Sequence, residues 1–138
     1  MADRLQLDII TPERGLLSEA VDAVTLPGLN GELGILPGHT PLISQLQTGI
    51  LSYTQGGATK RLLVSGGFVE VSDDHVAVLA ELAERPEEVD AARARTERDQ
   101  AEKLLGSTTG SEDDLARART QFERSVARLQ IAGDSSSN

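Results

Sequence analysis

The sequence predicts a mixed β and α protein, in which an antiparallel β-sandwich of about eight to ten strands precedes an antiparallel two-helix hairpin. Up to about residue 84, apolar and polar side chains alternate with the period of half-buried strands. Turn signals recur in that part roughly every 8–12 residues, which is typical of sandwiches and barrels. Beyond it, alanine, arginine and glutamate replace the β-branched residues, and the apolar spacing becomes helical.

The first strands are marked by alternation and by the turns between them. Leu5, Leu7 and Ile9 alternate with polar residues, so they predict the inner face of a strand. Residues 11–15 read Thr-Pro-Glu-Arg-Gly, a turn in which proline fixes φ and glycine admits a positive φ. Residues 16–26 carry further strand material, which ends at a Pro-Gly pair.

The stretch from Gly31 to Leu42 contains three glycines and two prolines, so it lies outside any regular helix. Its apolar residues are spread between these helix breakers, which predicts short strand pieces joined by tight turns. Glu32 and His39 are the expected polar tips. A lone histidine in a rigid turn is more often a hydrogen-bonding residue than a general base.

Three residue pairs divide the rest of this part into strands. Gly56-Gly57 predicts a two-residue hairpin, and Gly66-Gly67 predicts a bulge or a close backbone approach. Asp73-Asp74 predicts the last hairpin. The strands predicted between these pairs cover residues 42–47, 49–55, 58–64, 68–71 and 75–79, with Val69, Val71, Val76 and Val78 pointing inward.

A helical arm is expected to follow the sandwich. Pro86 suits the first turn of a helix, Ser111 can cap the second helix, and Gly133 can end it. Long helices with narrow, alanine-rich seams are marginal in water, so the arm needs the sandwich or another protein to stay in place. The predicted boundaries are 1–84 for the sandwich, 86–133 for the arm with helices at about 87–105 and 112–132, and 134–138 for a disordered tail. The predicted seams are Ala91, Ala94, Ala101 and Leu105, then Leu115, Ala118, Phe122, Val126 and Leu129.

Composition excludes several classes of function. The net charge of −9 and the scarcity of aromatic residues (2%) argue against direct nucleic-acid binding. The chain has no cysteine and only two histidines, which stand far apart, so no metal site is predicted. No segment resembles a signal peptide or reaches membrane-spanning length, so we expect membrane association only through partners.

No catalytic constellation stands out. No glycine-rich stretch ends in Gly-Lys-Ser/Thr, and no supported pair of carboxylates is present. Glu81 and Glu84, where strands give way to helix, are expected to be solvated. The sequence therefore predicts a non-catalytic protein without a cofactor.

Charge also distinguishes the two parts. Residues 1–84 hold 11 acidic and 4 basic side chains, whereas residues 85–138 hold 11 acidic and 9 basic ones. Arg117, Arg124 and Arg128 stand at i, i+7 and i+11 and so share one helical face. This basic stripe is either a solvated face paired with nearby carboxylates or a surface for an acidic partner.

Two motifs carry a family resemblance that covers essentially the whole chain. Residues 31–42, Gly-Glu-Leu-Gly-Ile-Leu-Pro-Gly-His-Thr-Pro-Leu, resemble the signature of the epsilon subunits of F-type ATP synthases. Residues 65–71, Ser-Gly-Gly-Phe-Val-Glu-Val, resemble the second landmark of that family. The resemblance implies a ten-stranded sandwich with a helical hairpin, in a rotor subunit of the central stalk.

The resemblance also implies partners and a location. Such a subunit couples gamma to the ring of c subunits, and its arm extends toward the catalytic beta and alpha subunits to restrain ATP hydrolysis. It sits peripherally on the cytoplasmic or stromal face of a plasma or thylakoid membrane. Gly31, Glu32, Leu33 and Gly34 would then face the c-ring and His39 would face gamma, while the basic stripe would serve inhibition.

Some bacterial relatives bind ATP on the folded arm, and part of their motif is present. The resemblance implies a regulatory ATP site, in which Gln100 replaces one arginine of the set. Losing one charge-assisted phosphate contact costs about 1.5–3 kcal/mol, so we expect weak binding at most. The residues that match the set are Glu84, Val89, Asp90, Arg93, Ala94, Arg124 and Arg128.

Two other functions remain open from the sequence. An ATP-sensing module whose arm closes on nucleotide is the main alternative to a rotor subunit. A carbohydrate-binding sandwich is disfavoured by the few aromatic residues.

Overall fold

The computed structural model describes residues 4–107 and 110–134, and it confirms the predicted fold class. Ten strands form two five-stranded sheets, and two helices follow them. The strands are β1 (Leu5–Ile10), β2 (Gly15–Val21), β3 (Ala23–Gly28), β4 (Gly31–Ile35), β5 (Leu42–Gln45), β6 (Gly49–Gln55), β7 (Ala58–Ser65), β8 (Phe68–Ser72), β9 (His75–Leu79) and β10 (Leu82–Glu84). A 3₁₀ turn (Pro86–Glu88), α1 (Ala91–Leu105) and α2 (Glu112–Ile131) complete the chain.

The two sheets face each other across one apolar core. Sheet A has the order β2-β1-β9-β8-β5, and sheet B has the order β10-β7-β6-β3-β4. Neighbouring strands are antiparallel except β1 and β9, which pair in parallel with Leu7 opposite Val76. The four valines predicted to point inward, Val69, Val71, Val76 and Val78, are all buried in this core.

The predicted turn pairs have the backbone geometry that their residues favour. Gly56 and Gly57 have φ of 60° and 85°, and Asp73 and Asp74 have φ of 50° and 60°, as two-residue hairpins require. The predicted close approach is at Gly67, where a Cβ would lie 1.9 Å from the carbonyl oxygen of Leu79. Glycine is therefore required where the chain passes from sheet B to sheet A.

Two local predictions for the sheets were wrong. Glu32 is not at a loop tip but lies within β4, opposite Pro27, although its side chain is exposed. Leu82–Glu84 forms the edge strand β10, where the sequence predicted only a transition to helix. A strand of three residues is too short to show alternation, and only pairing with β7 defines it.

The first helix begins later than predicted. It starts at Ala91 rather than near 87, because the Asp90 carboxylate accepts a hydrogen bond from the backbone N–H of Arg93 at 3.0 Å. Pro86–Glu88 forms a 3₁₀ turn instead of a helical first turn. The second helix begins as predicted, with the Ser111 hydroxyl accepting from the N–H of Asp114 at 3.1 Å.

The arm lies folded on the sandwich, with α2 against β6 and β7 and α1 against α2. Because α2 has partners on two sides, its buried residues differ from the predicted seam. Leu115, Phe122, Val126 and Leu129 are only half-buried, and of that seam Ala118 alone is buried. The buried side chains of α2 are Ala118, Ser125, Ala127 and Ile131. In α1, Ala94 and Ala101 are buried as the seam predicted.

The predicted disordered tail is wrong at its first residue. Asp134 bonds to Arg61 of the sandwich, and Gly133 before it has a φ of 89° that turns the chain. Residues 135–138 of that prediction lie outside the described residues.

Candidate functional site

The candidate site is the contact between α2 and the outer face of sheet B. Strand β7 presents Arg61, Leu63 and Ser65 to this face, while Leu62 and Val64 face the sandwich core. This follows from the two-residue period of a strand. The run Leu-Leu-Val-Ser at 62–65 is buried throughout, as expected for a strand covered on both sides. This unbroken apolar run is the feature of the sequence that could have predicted a cover on the outer face of β7.

An ion pair lies at the centre of this contact. Arg128 donates from Nε and Nη2 to the two carboxylate oxygens of Glu84, at 2.7 and 2.8 Å. Both side chains are only 19% exposed, and the hydrogen bonds that Arg128 donates to Glu84 raise the pKa of Arg128. The expectation that Glu84 is solvated was therefore wrong, because α2 covers it.

A second arginine of α2 reaches a buried hydroxyl. Arg124 donates from Nε to the Ser65 hydroxyl at 2.8 Å, and Ser65 is 1% exposed. The Ser65 hydroxyl also lies 2.6 Å from that of Thr48, so it bonds on two sides. Nη2 of Arg124 lies 3.8 Å from the carboxylate of Glu81.

The third polar contact was not anticipated from the sequence. Arg61 donates from Nε and Nη2 to the carboxylate of Asp134, at 2.8 and 2.9 Å. Its Nη2 also donates to the backbone carbonyl of Gln130 at 2.8 Å. These contacts join β7 to the C-terminal end of α2.

A small apolar cluster lies between these polar contacts. Leu63 of the sandwich packs against Ala127 and Ile131 of α2, and all three are buried. Ile50, Leu82 and Val89 pack around them and are half-buried. On α2, Arg124, Ala127, Arg128 and Ile131 follow the i, i+3, i+4, i+7 spacing of one helical face.

The predicted basic stripe is divided in this structure. Arg124 and Arg128 face sheet B, whereas Arg117 is largely exposed and bonds to Asp114 on its own helix at 2.6 Å. In the docked arm Arg117 and Arg128 are paired with carboxylates and Arg124 bonds chiefly to a hydroxyl, but only Arg117 lies on a solvated face. An acidic partner can meet Arg124 and Arg128 only if α2 leaves the sandwich.

Most residues of the predicted ATP set line one small cavity. Glu84, Val89, Asp90, Arg93, Ala94 and Arg128 surround it together with Glu88 and Glu97, and Arg124 does not line it. The cavity has a volume of about 120 Å³, well below the roughly 300–1,000 Å³ of small-molecule sites.

The charged groups of this cavity already have partners. Arg93 bonds to Glu97 at 2.9 Å, and Arg14 bonds to both carboxylate oxygens of Glu88 at 2.7 and 2.9 Å. The Arg14 hydrogen bonds lower the pKa of Glu88. Four carboxylates against two lining arginines disfavour a polyphosphate in the docked state.

The residues predicted to face a c-ring form an exposed edge. Gly31 to Gly34 lie in β4, which is the edge strand of sheet B on the side opposite β10. Glu32 is exposed there, and among the described residues no hydrogen bond or ion pair occupies its carboxylate. Leu29 and Leu36, which flank this strand, are 54% and 63% exposed. This edge is free to contact another protein.

His39 has the structural role expected of a turn residue. Its Nδ1 lies 2.7 Å from the carbonyl oxygen of Thr40, and its backbone N–H donates to the Leu36 carbonyl at 3.1 Å. The neighbouring Gly38 N–H donates to the Asp74 carboxylate at 2.6 Å. These bonds fix the turn and leave the ring half-exposed.

The outer face of sheet A carries an apolar patch that the sequence analysis missed. Ile10, Ile43, Phe68 and Leu79 are exposed there, from 40% at Leu79 to 69% at Ile43. Leu79 pairs with both Ile10 and Phe68, so the patch crosses three adjacent strands. We call these four residues the sheet A patch. It lies on the opposite side of the sandwich from the arm.

Within residues 4–107 and 110–134, no group of histidine and acidic side chains is arranged to hold a metal ion. Neither helix of this part of the chain is long and apolar enough to cross a membrane.

Comparisons with known proteins cover the whole described chain. Residues 4–86 match the family model "ATP synthase, Delta/Epsilon chain, beta-sandwich domain", and residues 87–133 match "ATP synthase, Delta/Epsilon chain, long alpha-helix domain". The chain is 46% identical to the ATP synthase epsilon chain of Nitratidesulfovibrio vulgaris, over 97% of this chain and 99% of that one. It is 44% identical to the ATP synthase epsilon chain of Desulforamulus reducens, over 96% and 99%.

Solved structures give the same result for the fold. A chain in the Euglena gracilis mitochondrial ATP synthase, in an assembly described as OSCP/F1/c-ring, is 26% identical with a TM-score of 0.81, covering 94% of this chain and 81% of that one. A chain in the Tetrahymena thermophila mitochondrial ATP synthase central stalk and c-ring has a TM-score of 0.63 at 16% identity, over 91% and 94%, which supports the fold alone.

Proposed function

The chain belongs to the family of ATP synthase delta and epsilon chains and is an epsilon-type, non-catalytic subunit; from this we propose that it couples gamma to the c-ring and restrains ATP hydrolysis with its arm. The observation that carries the proposal is the arrangement of two outer faces. The arm covers sheet B through a few ion pairs and a small apolar cluster, while sheet A keeps an exposed patch. Regulation and assembly then use opposite sides of one rigid sandwich.

We assign gamma to the sheet A patch. The patch consists of four large apolar side chains that point outward from neighbouring strands. Their exposure to water is unfavourable, and burying them in an interface stabilises a complex by about 25 cal/mol per Å² of apolar surface. The groove beside Ile10, Phe68 and Leu79 has a volume of about 560 Å³, enough to receive side chains of a partner. His39, which the resemblance assigns to gamma, lies in the turn after β4 with its ring half-exposed, and it stays a second proposed contact with gamma.

The c-ring contact is proposed at the edge strand β4. The Glu32 carboxylate has no hydrogen-bond or ion-pair partner within residues 4–107 and 110–134, and Leu29 and Leu36 add apolar surface on both sides of the strand. An acidic group with no structural partner is suited to a polar loop of the ring.

Inhibition requires the arm to exchange partners. In the docked arm, Arg124 and Arg128 bind Ser65 and Glu84 of the sandwich. In the extended arm the same two arginines and Arg117 would meet an acidic segment of the catalytic beta and alpha subunits. Because these arginines find a partner in either position, the free-energy difference between the positions is small enough for regulation.

The test is a chain ended after Arg85, assembled with the remaining subunits. Assembly and ATP synthesis should survive, because the sheet A patch and β4 are intact, and ATP hydrolysis should rise. A matched control for assembly replaces Phe68 by serine, with Leu104→Ser on α1 as the comparison, since both side chains are similarly exposed. Phe68→Ser should weaken gamma binding and Leu104→Ser should not. Unchanged hydrolysis after removal of the arm contradicts the proposal.

An ATP-sensing arm is the second candidate, and one observation favours it. Six of the seven residues in the predicted set line one cavity. The cavity is small and its charges are paired, so ATP would have to displace the ion pair of Arg128 with Glu84. Calorimetric titration of the chain with ATP tests this candidate. Binding heat that disappears in Arg93→Gln would support ATP sensing, and no binding heat at millimolar ATP would exclude it.

The proposed location follows from the assembly. The subunit would be peripheral, on the cytoplasmic or stromal face of an energy-coupling membrane, plasma or thylakoid, attached only through its partners.

A further inference from the structure

We propose that Arg61 of the sandwich sets how firmly the arm stays docked, by binding the C-terminal end of α2. The inference deepens the proposed function, since it names a determinant of arm position outside the arginines of the arm. Arg61 belongs neither to the basic stripe nor to the predicted ATP set.

Arg61 is placed to bind the C-terminal end of α2. The last carbonyl groups of a helix have no partner within it, and its C-terminus carries a partial negative charge. Arg61 donates to the Gln130 carbonyl at 2.8 Å and binds Asp134, the third residue after α2, through two hydrogen bonds. One guanidinium thus satisfies a helix carbonyl and a carboxylate together, and the bonds raise its pKa.

The same helix end holds the most deeply buried apolar anchor of the arm. Ile131 is fully buried against Leu63, one residue after the carbonyl that Arg61 binds. Near its middle α2 contacts α1 rather than the sandwich, and there the Gln121 side chain donates to the Glu97 carbonyl. The arm is therefore attached mainly through the second half of α2.

The Arg61 contacts differ from the other two polar contacts in what happens after release. Arg124 and Arg128 travel with the arm and can bind new carboxylates. Arg61 stays on the sandwich, and Asp134 gains nothing from an acidic partner. Only an interaction that differs between two positions shifts their populations, so the Arg61 contacts act almost wholly in favour of docking.

The expected size of the effect follows from the exposure of the pair. The side chains of Arg61 and Asp134 are 40% and 27% exposed, so solvent weakens their attraction. The additional bond to the Gln130 carbonyl is exposed as well, but its donor is charged, so it adds to the attraction of the pair. We expect loss of Arg61 to raise the undocked fraction of the arm about tenfold.

The test uses the full isolated chain, which has no cysteine. Ala127→Cys places one thiol beneath docked α2, where it reacts with a thiol reagent only when the helix leaves Leu63. Adding Arg61→Gln should speed the reaction about tenfold. The matched control is Arg4→Gln, because Arg4 also binds a carboxylate (Asp22) and a carbonyl (Ala20) but lies away from the arm. It should leave the rate unchanged.

A second variant separates docking from stability of the sandwich. Asp134→Asn removes the contact from the arm side without touching β7, and it should also speed the reaction. The double variant should react no faster than Arg61→Gln alone, because both changes remove one contact. Equal rates in Arg61→Gln and the parent, or additive effects in the double variant, overturn the proposal. The measured quantity is a thiol reaction rate and involves no ATP hydrolysis. A negative result here would therefore not contradict the proposed inhibition, and an absence of inhibition would not contradict the role of Arg61.

Discussion

Replacing Glu84 by glutamine should destabilise the docked position of the arm without affecting the proposed extended position. Glu84 binds Arg128 in the docked arm, whereas in the proposed extended arm Arg128 would leave Glu84 behind on the sandwich. Glu84→Gln keeps the shape of the side chain and removes its charge. It therefore weakens docking and leaves Arg128 free for an acidic partner.

The magnitude follows from the geometry of the pair. Two hydrogen bonds at 2.7 and 2.8 Å join groups that are 19% exposed, so solvent screens them less than an open surface pair. Exposed pairs are worth about 0.2–1 kcal/mol, and hydrogen bonds to charged groups about 1.5–3 kcal/mol. We take about 1.5 kcal/mol, which is roughly a tenfold shift toward the extended arm.

The assay is steady-state ATP hydrolysis by the assembled complex. Glu84→Gln should lower hydrolysis relative to the parent, because more arms are extended. Arg128→Gln should give higher hydrolysis than Glu84→Gln, since it weakens the arm in both positions. Asp99→Asn is the control, because its pair with Arg98 lies within α1 and the Asp99 side chain is 63% exposed. If Glu84→Gln leaves hydrolysis unchanged or raises it, the arm does not exchange partners in the way proposed.

Three further predictions concern the sandwich and its contacts. Fragment 1–84 should fold alone, whereas isolated 86–138 should not form a stable helical monomer; far-UV circular dichroism at low concentration decides. Glu32→Ala should leave the melting temperature nearly unchanged and weaken docking to the ring complex, and an equal loss of both would mark the residue as structural. Because Arg14 lowers the pKa of Glu88, the stability from this pair is present above the ordinary carboxyl pKa and is lost as pH falls through the lowered value. The stabilities of Glu88→Gln and the parent, measured by denaturant unfolding, should thus differ at neutral pH and converge only when the pH falls below the lowered pKa of Glu88.

The sandwich was predictable because its signals are local. Alternation from Leu5 onward sets the inner face, and pairs such as Gly56-Gly57 and Asp73-Asp74 set turns within a few residues. Gly67 was recognised from the same kind of signal. Each of these features depends on backbone preferences of neighbouring residues, which the sequence displays directly.

The partners of the arm were not predictable, because they are distant in sequence. Arg128 and Glu84 are 44 residues apart, and Arg61 and Asp134 are 73 apart. The spacing of Arg117, Arg124 and Arg128 predicts that they share one helical face. It does not predict that sheet B covers Arg124 and Arg128 and leaves Arg117 exposed. The sheet A patch was missed for a related reason. Alternation alone turns Ile10 and Phe68 outward, but only the strand register shows that both lie beside Leu79.

The most direct test of the account measures the position of the arm inside the assembled complex. Spin labels on Thr59→Cys of the sandwich and Thr120→Cys of α2, both exposed positions in a chain without cysteine, report the distance between the arm and the sandwich. We expect two distances, with the docked one during ATP synthesis and a longer one predominating when hydrolysis is inhibited. An inhibited complex that shows the docked distance alone would contradict the account.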